Sequence, residues 1–167
     1  MRHKKHTIVL WLLVAFVISA CVAPIRRAAP TAPQVLFVCE HGNVKSLMAA
    51  SHFNKLSQER HLPYRAISRG SAPDSTTVPP AIVEGLRRDG FNVSEFRPLA
   101  VTTSDVTASQ HVVLIGADLP ATVQAYGSEP ERWVDVPAAS TDYAAARDSL
   151  RSHVAELLDK LAQDKHR

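Results

Sequence analysis

Residues 35–46 read VLFVCEHGNVKS, a short apolar run that passes directly into a polar loop. The run at 35–38 is rich in β-branched and aromatic side chains, which predicts a strand buried on both faces of a parallel sheet. Residues 46–60 then carry apolar side chains at helical spacing and predict a helix that ends before Pro63. A strand, a tight loop and a helix in succession are typical of the first unit of an α/β fold.

The rest of the chain continues this alternation. Further strands are predicted at 64–68, 111–115 and 132–134. Further helices are predicted at 80–90 and 141–163, and Gly90 is the predicted C-cap of the first of these. A short helix that Thr103 or Ser104 caps is predicted before the strand at 111–115. With 167 residues, of which 46% are hydrophobic, the chain can bury one sizeable core. We therefore predict an α/β class fold: a single three-layer domain with a four-stranded parallel sheet flanked by helices.

The N-terminus has the pattern of an export signal. Residues 1–6 are basic, and residues 8–18 form an uncharged apolar run that is shorter than the roughly 20 residues a membrane span needs. The run ends in ISAC at 18–21, which resembles a bacterial lipobox and implies cleavage before Cys21 with lipidation of its thiol. An uncleaved anchor and a plain signal peptide cut near Ala23 are the alternatives, and all three export the domain.

These features divide the chain into three predicted segments. We expect a lipoprotein signal peptide at 1–20, a Pro/Ala-rich tether at 21–33 whose three prolines favour extended chain, and the folded domain at 34–167. Val22 stands where an acidic residue would indicate retention in the inner membrane. The expected location is therefore the periplasmic face of the outer membrane, with the N-terminal lipid as the membrane anchor.

Charge and cysteine content narrow the function further. The chain has 19 Lys and Arg and 16 Asp and Glu, and removal of the signal takes away three basic residues, which leaves 16 of each. A neutral domain lacks the basic face that nucleic-acid binding requires, so nucleic acid is not an expected partner. If Cys21 carries lipid, Cys39 is an unpaired thiol in an oxidising compartment, where it is prone to oxidation. A chemical role would explain its presence.

The loop after the first predicted strand has the composition of an oxyanion-binding loop. In open α/β sheets ligands bind at the carboxyl ends of the strands, and phosphate commonly lies at the first strand-to-helix turn. Gly42 and Asn43 are residue types that tolerate the left-handed conformations that a nest of backbone amides needs. The same field favours the nucleophilic thiolate of Cys39, while Ser46 is placed to hydrogen-bond it. The predicted phosphate-binding residues are Glu40, His41, Gly42, Asn43, Val44 and Lys45.

The loop begins with Cys39, which is followed by five residues, a cation and Ser46. This pattern resembles the Cys-x5-Arg-Ser/Thr signature of low-molecular-weight protein tyrosine phosphatases and of the arsenate reductases built on the same flavodoxin-like fold. Residues 67–73 are similar to the rim loop of that family, residues 111–116 to its penultimate strand, and residues 133–137 to its Asp-Pro loop. The resemblance implies that Cys39 is the nucleophile and that Asp135 is the general acid. No cofactor is expected.

Three departures from the family pattern bear on activity. Lys45 stands in place of the signature arginine, and an ammonium cannot grip two oxygens in the bidentate way of a guanidinium. The position of the family's loop-bracing asparagine is occupied by Gly42, and the asparagine follows as Asn43. One residue separates Asp135 from the proline of the acid loop.

Several of these residues also have simpler interpretations. Cys39 alone is compatible with an inert core cysteine, and Lys45 with a solvated surface charge. Trp133 is expected to pack in the core. Arg69, on the rim segment, is a candidate to supply the missing guanidinium. His41 has no second ligand at a useful spacing, so a metal site is not predicted.

Three functions remain open at this point. The first is a phosphatase that hydrolyses a phosphomonoester, with phosphotyrosine as the candidate substrate, through a cysteinyl-phosphate intermediate. The second is a non-catalytic module that binds an oxyanion or a phosphorylated ligand. The third is an arsenate reductase, which needs an external thiol because Val44 occupies a place where many relatives have a second cysteine.

Overall fold

The computed structural model describes residues 32–123 and 129–164. The predicted signal peptide, Cys21 and most of the predicted tether lie outside these ranges. Within them, no helix is both long enough and apolar enough to cross a membrane.

A four-stranded parallel sheet forms the centre of the domain. Its strands are β1 (Gln34–Cys39), β2 (Arg65–Gly70), β3 (His111–Ile115) and β4 (Glu131–Trp133), in the spatial order β2-β1-β3-β4. All three neighbouring pairs are parallel. The predicted fold class is confirmed. β1 is an interior strand, paired with β2 on one edge and β3 on the other, and its apolar residues are buried on both faces.

The side chains of β1 alternate between two clusters, as the twofold repeat of a strand requires. Phe37 and Cys39 belong to the larger cluster, on the face covered by α1 (Lys45–Glu59), α2 (Pro80–Arg88) and α4 (Tyr143–Asp164). Leu36 and Val38 belong to the smaller cluster, which includes Val106 of the short helix α3 (Thr103–Ala108). Helices therefore cover both faces of the sheet, and the thiol of Cys39 lies on the α1 and α4 side.

Two helix ends differ in detail from the sequence expectation. The cap of α3 is Thr102, not Thr103 or Ser104, because the backbone of Thr102 is extended and its side chain exchanges hydrogen bonds with Asp105 in a capping box. The C-cap of α2 is Asp89, and Gly90 follows it with φ of +88°. A glycine in this left-handed conformation satisfies the end of the helix without steric cost.

A buried histidine makes the stability of the domain depend on pH. His52 of α1 packs edge-on against Phe91, and its side chain is 10% exposed. Burial lowers the pKa of His52 from 6.5 to about 4, although the nearby carboxylate of Asp89 opposes the shift. The unfolded chain therefore binds this proton more readily than the folded one, and stability is lost as pH falls from 6.5 towards 4.

We expect this loss to depend on His52 itself. Between pH 7 and pH 4.5 the wild type should lose about 2 kcal/mol more unfolding free energy than His52→Gln, whose side chain does not titrate. Urea titrations of both proteins at the two pH values measure the difference. Equal losses in the two proteins would show that other groups cause the acid sensitivity.

Candidate active site

The thiol of Cys39 lies at the carboxyl end of β1, where the chain turns into the loop that precedes α1. Its side chain is 4% exposed, and Sγ lies 3.0 Å from Oγ of Ser46 in the first turn of α1. Ser46 is fully buried. A buried hydroxyl at this distance can donate to a thiolate, which stabilises the charged form of the sulfur. The structure thus brings together two of the predicted site residues.

A second hydroxyl, which the sequence analysis did not assign to the site, extends this contact. Ser68 of β2 is buried, and its Oγ lies 2.9 Å from Oγ of Ser46 and 3.0 Å from the carbonyl oxygen of Gly42. A hydroxyl has one proton and can donate to only one of these acceptors at a time. When Ser46 donates to a Cys39 thiolate, the proton of Ser68 goes to Ser46. When the Cys39 thiol donates to Ser46 instead, the proton of Ser68 goes to the carbonyl oxygen of Gly42.

Loss of the Ser68 hydroxyl should therefore weaken the site. In Ser68→Ala we expect kcat for any thiolate-dependent reaction to fall about tenfold and the unfolding free energy to fall about 1 kcal/mol, since one charge-assisted network loses a member. Ser71→Ala is the matched control, because no hydrogen bond of the Ser71 hydroxyl is observed in the described ranges. Equal kinetics in the two variants would exclude a role for Ser68.

The loop packs backbone against backbone on the end of β2. Gly42 has φ of +75°, and a Cβ there would lie 2.5 Å from the backbone nitrogen of Gly70. A Cβ on Gly70 would in turn lie 2.8 Å from the carbonyl carbon of His41. Both positions therefore require glycine, Gly42 for conformation and contact and Gly70 for contact alone.

The loop asparagine connects the loop to the segment between β2 and α2. Asn43 is buried, and its Nδ2 donates to the carbonyl oxygen of Thr77 at 2.7 Å. Its Oδ1 is buried without a partner within residues 32–123 and 129–164. Val44, which precedes α1, makes no side-chain capping bond. Among residues 32–123 and 129–164, the first amides of α1 therefore have no side-chain cap, and uncapped amides of this kind can bind an anion.

Lys45 connects the loop to the segment that follows β4. Its Nζ donates to the carbonyl oxygen of Val136 at 3.1 Å and lies close to Gly116, where an added Cβ would be 3.4 Å away. An ammonium has three donors, and this contact uses one of them. The remaining donors can serve an oxyanion, but only as a point charge.

Asp135 is exposed on the same segment and is paired with α4. Its side chain is 68% exposed, and Oδ1 lies 2.9 Å from Nε2 of His153. This hydrogen bond, aided by the backbone amide of Asp135 itself, holds the pKa of the carboxyl below its usual range. Trp133, at the end of β4, is buried in the larger core cluster.

The remaining candidate residues have partners outside the hydrogen bonds of the Cys39 thiol. The guanidinium of Arg69 contacts Asp105 through Nε at 3.1 Å and Nη2 at 3.0 Å, so it is engaged at α3. Nδ1 of His41 lies 3.1 Å from Oδ1 of Asp74, and Glu40 is exposed beside it. In the described part of the chain, no three His, Cys, Asp or Glu side chains group as metal ligands do.

Comparisons with known proteins find similarity in structure only. No family model and no curated protein matches the sequence. The thioredoxin-dependent arsenate reductase of Corynebacterium glutamicum superposes with a TM-score of 0.67 and 24% identity over 81% of this chain. The low-molecular-weight protein tyrosine phosphatase of T. tengcongensis gives 0.61 with 20% identity over 77% of this chain and 99% of its own. A protein tyrosine phosphatase from Entamoeba histolytica gives 0.63 with 18% identity over 80% of this chain and 99% of its own.

The fold is that of low-molecular-weight phosphatases and arsenate reductases. The chain spans 65% of the length of the Corynebacterium protein. Within this phosphatase fold, the order of strand, cysteine loop and helix agrees with the sequence prediction. At these identities the likeness concerns the fold, and the roles of Cys39, Lys45, Ser46 and Asp135 stay predictions.

Proposed function

We propose that the protein is a cysteine-dependent phosphatase that hydrolyses a phosphomonoester, with phosphotyrosine as the candidate substrate. The observation that carries this proposal is the 3.0 Å contact between Sγ of Cys39 and Oγ of Ser46, at the start of a loop that ends in the uncapped N-terminus of α1. An inert core cysteine has no need of a buried hydroxyl donor and a glycine-dependent loop around it.

The reaction we propose has two steps. The Cys39 thiolate attacks phosphorus in line, the sulfur–phosphorus bond forms, and the bond to the leaving oxygen breaks as Asp135 gives that oxygen a proton. Backbone amides of residues 40–45 and the ammonium of Lys45 bind the phosphoryl oxygens. Water then attacks the phosphorus while the Asp135 carboxylate accepts its proton, the sulfur–phosphorus bond breaks, and inorganic phosphate is released. Ser46 stabilises the sulfur as it leaves as a thiolate.

The test is hydrolysis of an aryl phosphate by the purified protein from mildly acidic to neutral pH. Turnover that vanadate inhibits would support the proposal, because vanadate takes the five-coordinate geometry of the phosphoryl-transfer transition state. If turnover does not exceed that of the Cys39→Ser variant at any pH in this range, the proposal is wrong.

Non-catalytic oxyanion binding is the second candidate. It is favoured by Lys45, which replaces a guanidinium and already donates to the carbonyl oxygen of Val136. Calorimetry with inorganic phosphate and with arsenate distinguishes this candidate. Binding without hydrolysis would support it, and the absence of binding would remove it.

Arsenate reduction is a third candidate, in which an external thiol resolves the arsenic adduct. Cys39 is the only cysteine in the part of the chain that the structure describes, so a second protein thiol is not at hand there. Arsenite release that depends on an added thiol would support this function.

The cellular setting is part of the proposal. We infer that the protein is exported, anchored through lipid on Cys21, and exposed at the periplasmic face of the outer membrane, where it meets phosphorylated substrates and no nucleic acid. Support comes from the apolar run at 8–18 and the lipobox-like residues 18–21. Radiolabelled palmitate should be incorporated into the wild type and not into Cys21→Ala.

A further inference from the structure

The segment that carries Asp135 is held by side chains from two different elements. Lys45, at the start of α1, donates to the carbonyl oxygen of Val136. His153, in the middle of α4, contacts Oδ1 of the neighbouring Asp135 at 2.9 Å. Two adjacent residues of this segment are thus bound, Val136 by the first residue of α1 and Asp135 by α4.

The imidazole of His153 is itself held in one orientation. It stacks on the indole of Trp133, with ring centroids 4.8 Å apart and planes 16° from parallel, and its side chain is 23% exposed. The indole is fixed in turn, because it is buried and its Nε1 donates to Oε1 of Glu131 at 2.8 Å. A ring clamped in this way presents Nε2 to Asp135 with little freedom to rotate.

The hydrogen bond with His153 uses one carboxyl oxygen of Asp135 and leaves the other one available. His153 engages Oδ1, while Oδ2 makes no side-chain hydrogen bond within the described ranges and the side chain stays largely exposed. A proton that is to be given to a leaving group must therefore sit on Oδ2. The bond to Oδ1 limits the rotamers of Asp135 and so limits where Oδ2 can point.

We propose that His153 is a positioning residue of the reaction: it orients Asp135 for proton transfer and sets the pH range in which that carboxyl can act as an acid. This inference rests on the proposed phosphatase function. It goes beyond that function because it adds a residue of α4, outside every loop of the site.

The charged groups around the pair are few. His153 is the only ionisable side chain within salt-bridge distance of Asp135 in the described ranges. Glu131, which accepts the hydrogen bond from the indole of Trp133, also contacts His111 at 3.2 Å and Lys160 at 3.6 Å. The ammonium of Lys45 contacts the next residue of the segment.

The sign of the pH effect follows from the hydrogen bond. The bond from His153 favours the ionised carboxylate and holds the pKa of Asp135 low. A general acid must be protonated, so kcat falls as pH rises through the pKa of that acid. Removal of the bond raises the pKa of Asp135, and the fall in kcat should move to higher pH.

The test measures kcat as a function of pH for the wild type, His153→Phe and His153→Gln. Two substrates are used: phenyl phosphate, whose leaving group needs a proton, and p-nitrophenyl phosphate, whose leaving group needs one less. Phenylalanine keeps the stack on Trp133 without the bond, whereas the glutamine amide keeps a donor near the place of Nε2. In His153→Phe we expect the alkaline fall in kcat at higher pH. At acidic pH, where Asp135 is protonated in both proteins, kcat for phenyl phosphate should be about tenfold lower than in the wild type, with KM unchanged. His153→Gln should stay within about threefold of the wild type.

A second measurement tests separately whether the hydrogen bond of His153 changes the pKa of Asp135 and whether that change affects catalysis. Carbon-13 NMR of the Asp135 carboxyl, assigned with Asp135→Asn, should show a higher pKa in His153→Phe than in the wild type. If that pKa rises but the alkaline fall in kcat stays where it was, the inference is overturned while the phosphatase function stands. An unchanged NMR pKa overturns it as well. Absence of any turnover above Cys39→Ser in the wild type would instead refute the phosphatase function, and the inference with it.

Discussion

Replacement of Cys39 with serine should lower kcat for aryl phosphate hydrolysis by a factor on the order of 10⁴ or more, because the alcohol is a far weaker nucleophile than a thiolate at neutral pH. Oγ of serine would still lie near Oγ of Ser46, so the exchange removes the chemistry and leaves the loop in place. Steady-state kinetics on the wild type and the variant measure the effect.

The control for this exchange is binding. Inorganic phosphate should bind to Cys39→Ser with an affinity close to that of the wild type, since the amides of the loop and Lys45 are unchanged, and calorimetry can test this. Loss of both binding and activity would point to a damaged loop. Activity retained in Cys39→Ser would mean that the nucleophile is another group, and the proposed mechanism would then be wrong.

Replacement of Lys45 with arginine has the second largest expected effect, a rise in kcat of up to roughly a hundredfold. A guanidinium can bind two phosphoryl oxygens at once in the transition state, and a donor placed in this way commonly contributes about 3 kcal/mol. The contact of Lys45 with the carbonyl oxygen of Val136 shows that a cation at this position also reaches the segment with Asp135. Kinetics with a single aryl phosphate give the ratio.

Lys55→Arg is the matched control, because Lys55 is exposed on the same helix and its ammonium lies over the ring of Phe91, 5.7 Å from the ring centroid. This control should leave kcat within about twofold of the wild type, since it alters the surface alone. If Lys45→Arg behaves like Lys55→Arg, the ammonium of Lys45 does not bind the phosphoryl group, and its contact with Val136 is structural.

The strands and helices could be predicted from the sequence because each depends on residues close in the chain. The apolar run before Cys39 indicates a buried strand by its composition, and all of its residues are buried in the structure. The ends of several elements differ by one or two residues from the prediction, and the cap of α3 differs because local signals compete there. Thr102, Thr103 and Ser104 are all acceptable caps, and the choice of Thr102 depends on the partner carboxylate of Asp105.

The participation of Ser68 could not be predicted because its hydroxyl acquires a role only through strand pairing. In the register of β1 and β2, Ser68 lies opposite Phe37, two residues before Cys39. A small polar residue inside a buried strand was the available signal, and it does not by itself indicate which group it will bond.

The sequence alone determined the strand, the cysteine loop and the helix that follows, because the contact between Cys39 and Ser46 spans seven residues and Gly42 meets a local backbone requirement. Only the tertiary structure decided the surroundings of that loop. Ser68 lies 22 residues from Ser46, Val136 lies 91 residues from Lys45, and His153 lies 18 residues from Asp135. These pairs meet because the strand order β2-β1-β3-β4 brings the carboxyl ends of the strands to one edge and packs α4 beside them, which no local pattern of residues encodes.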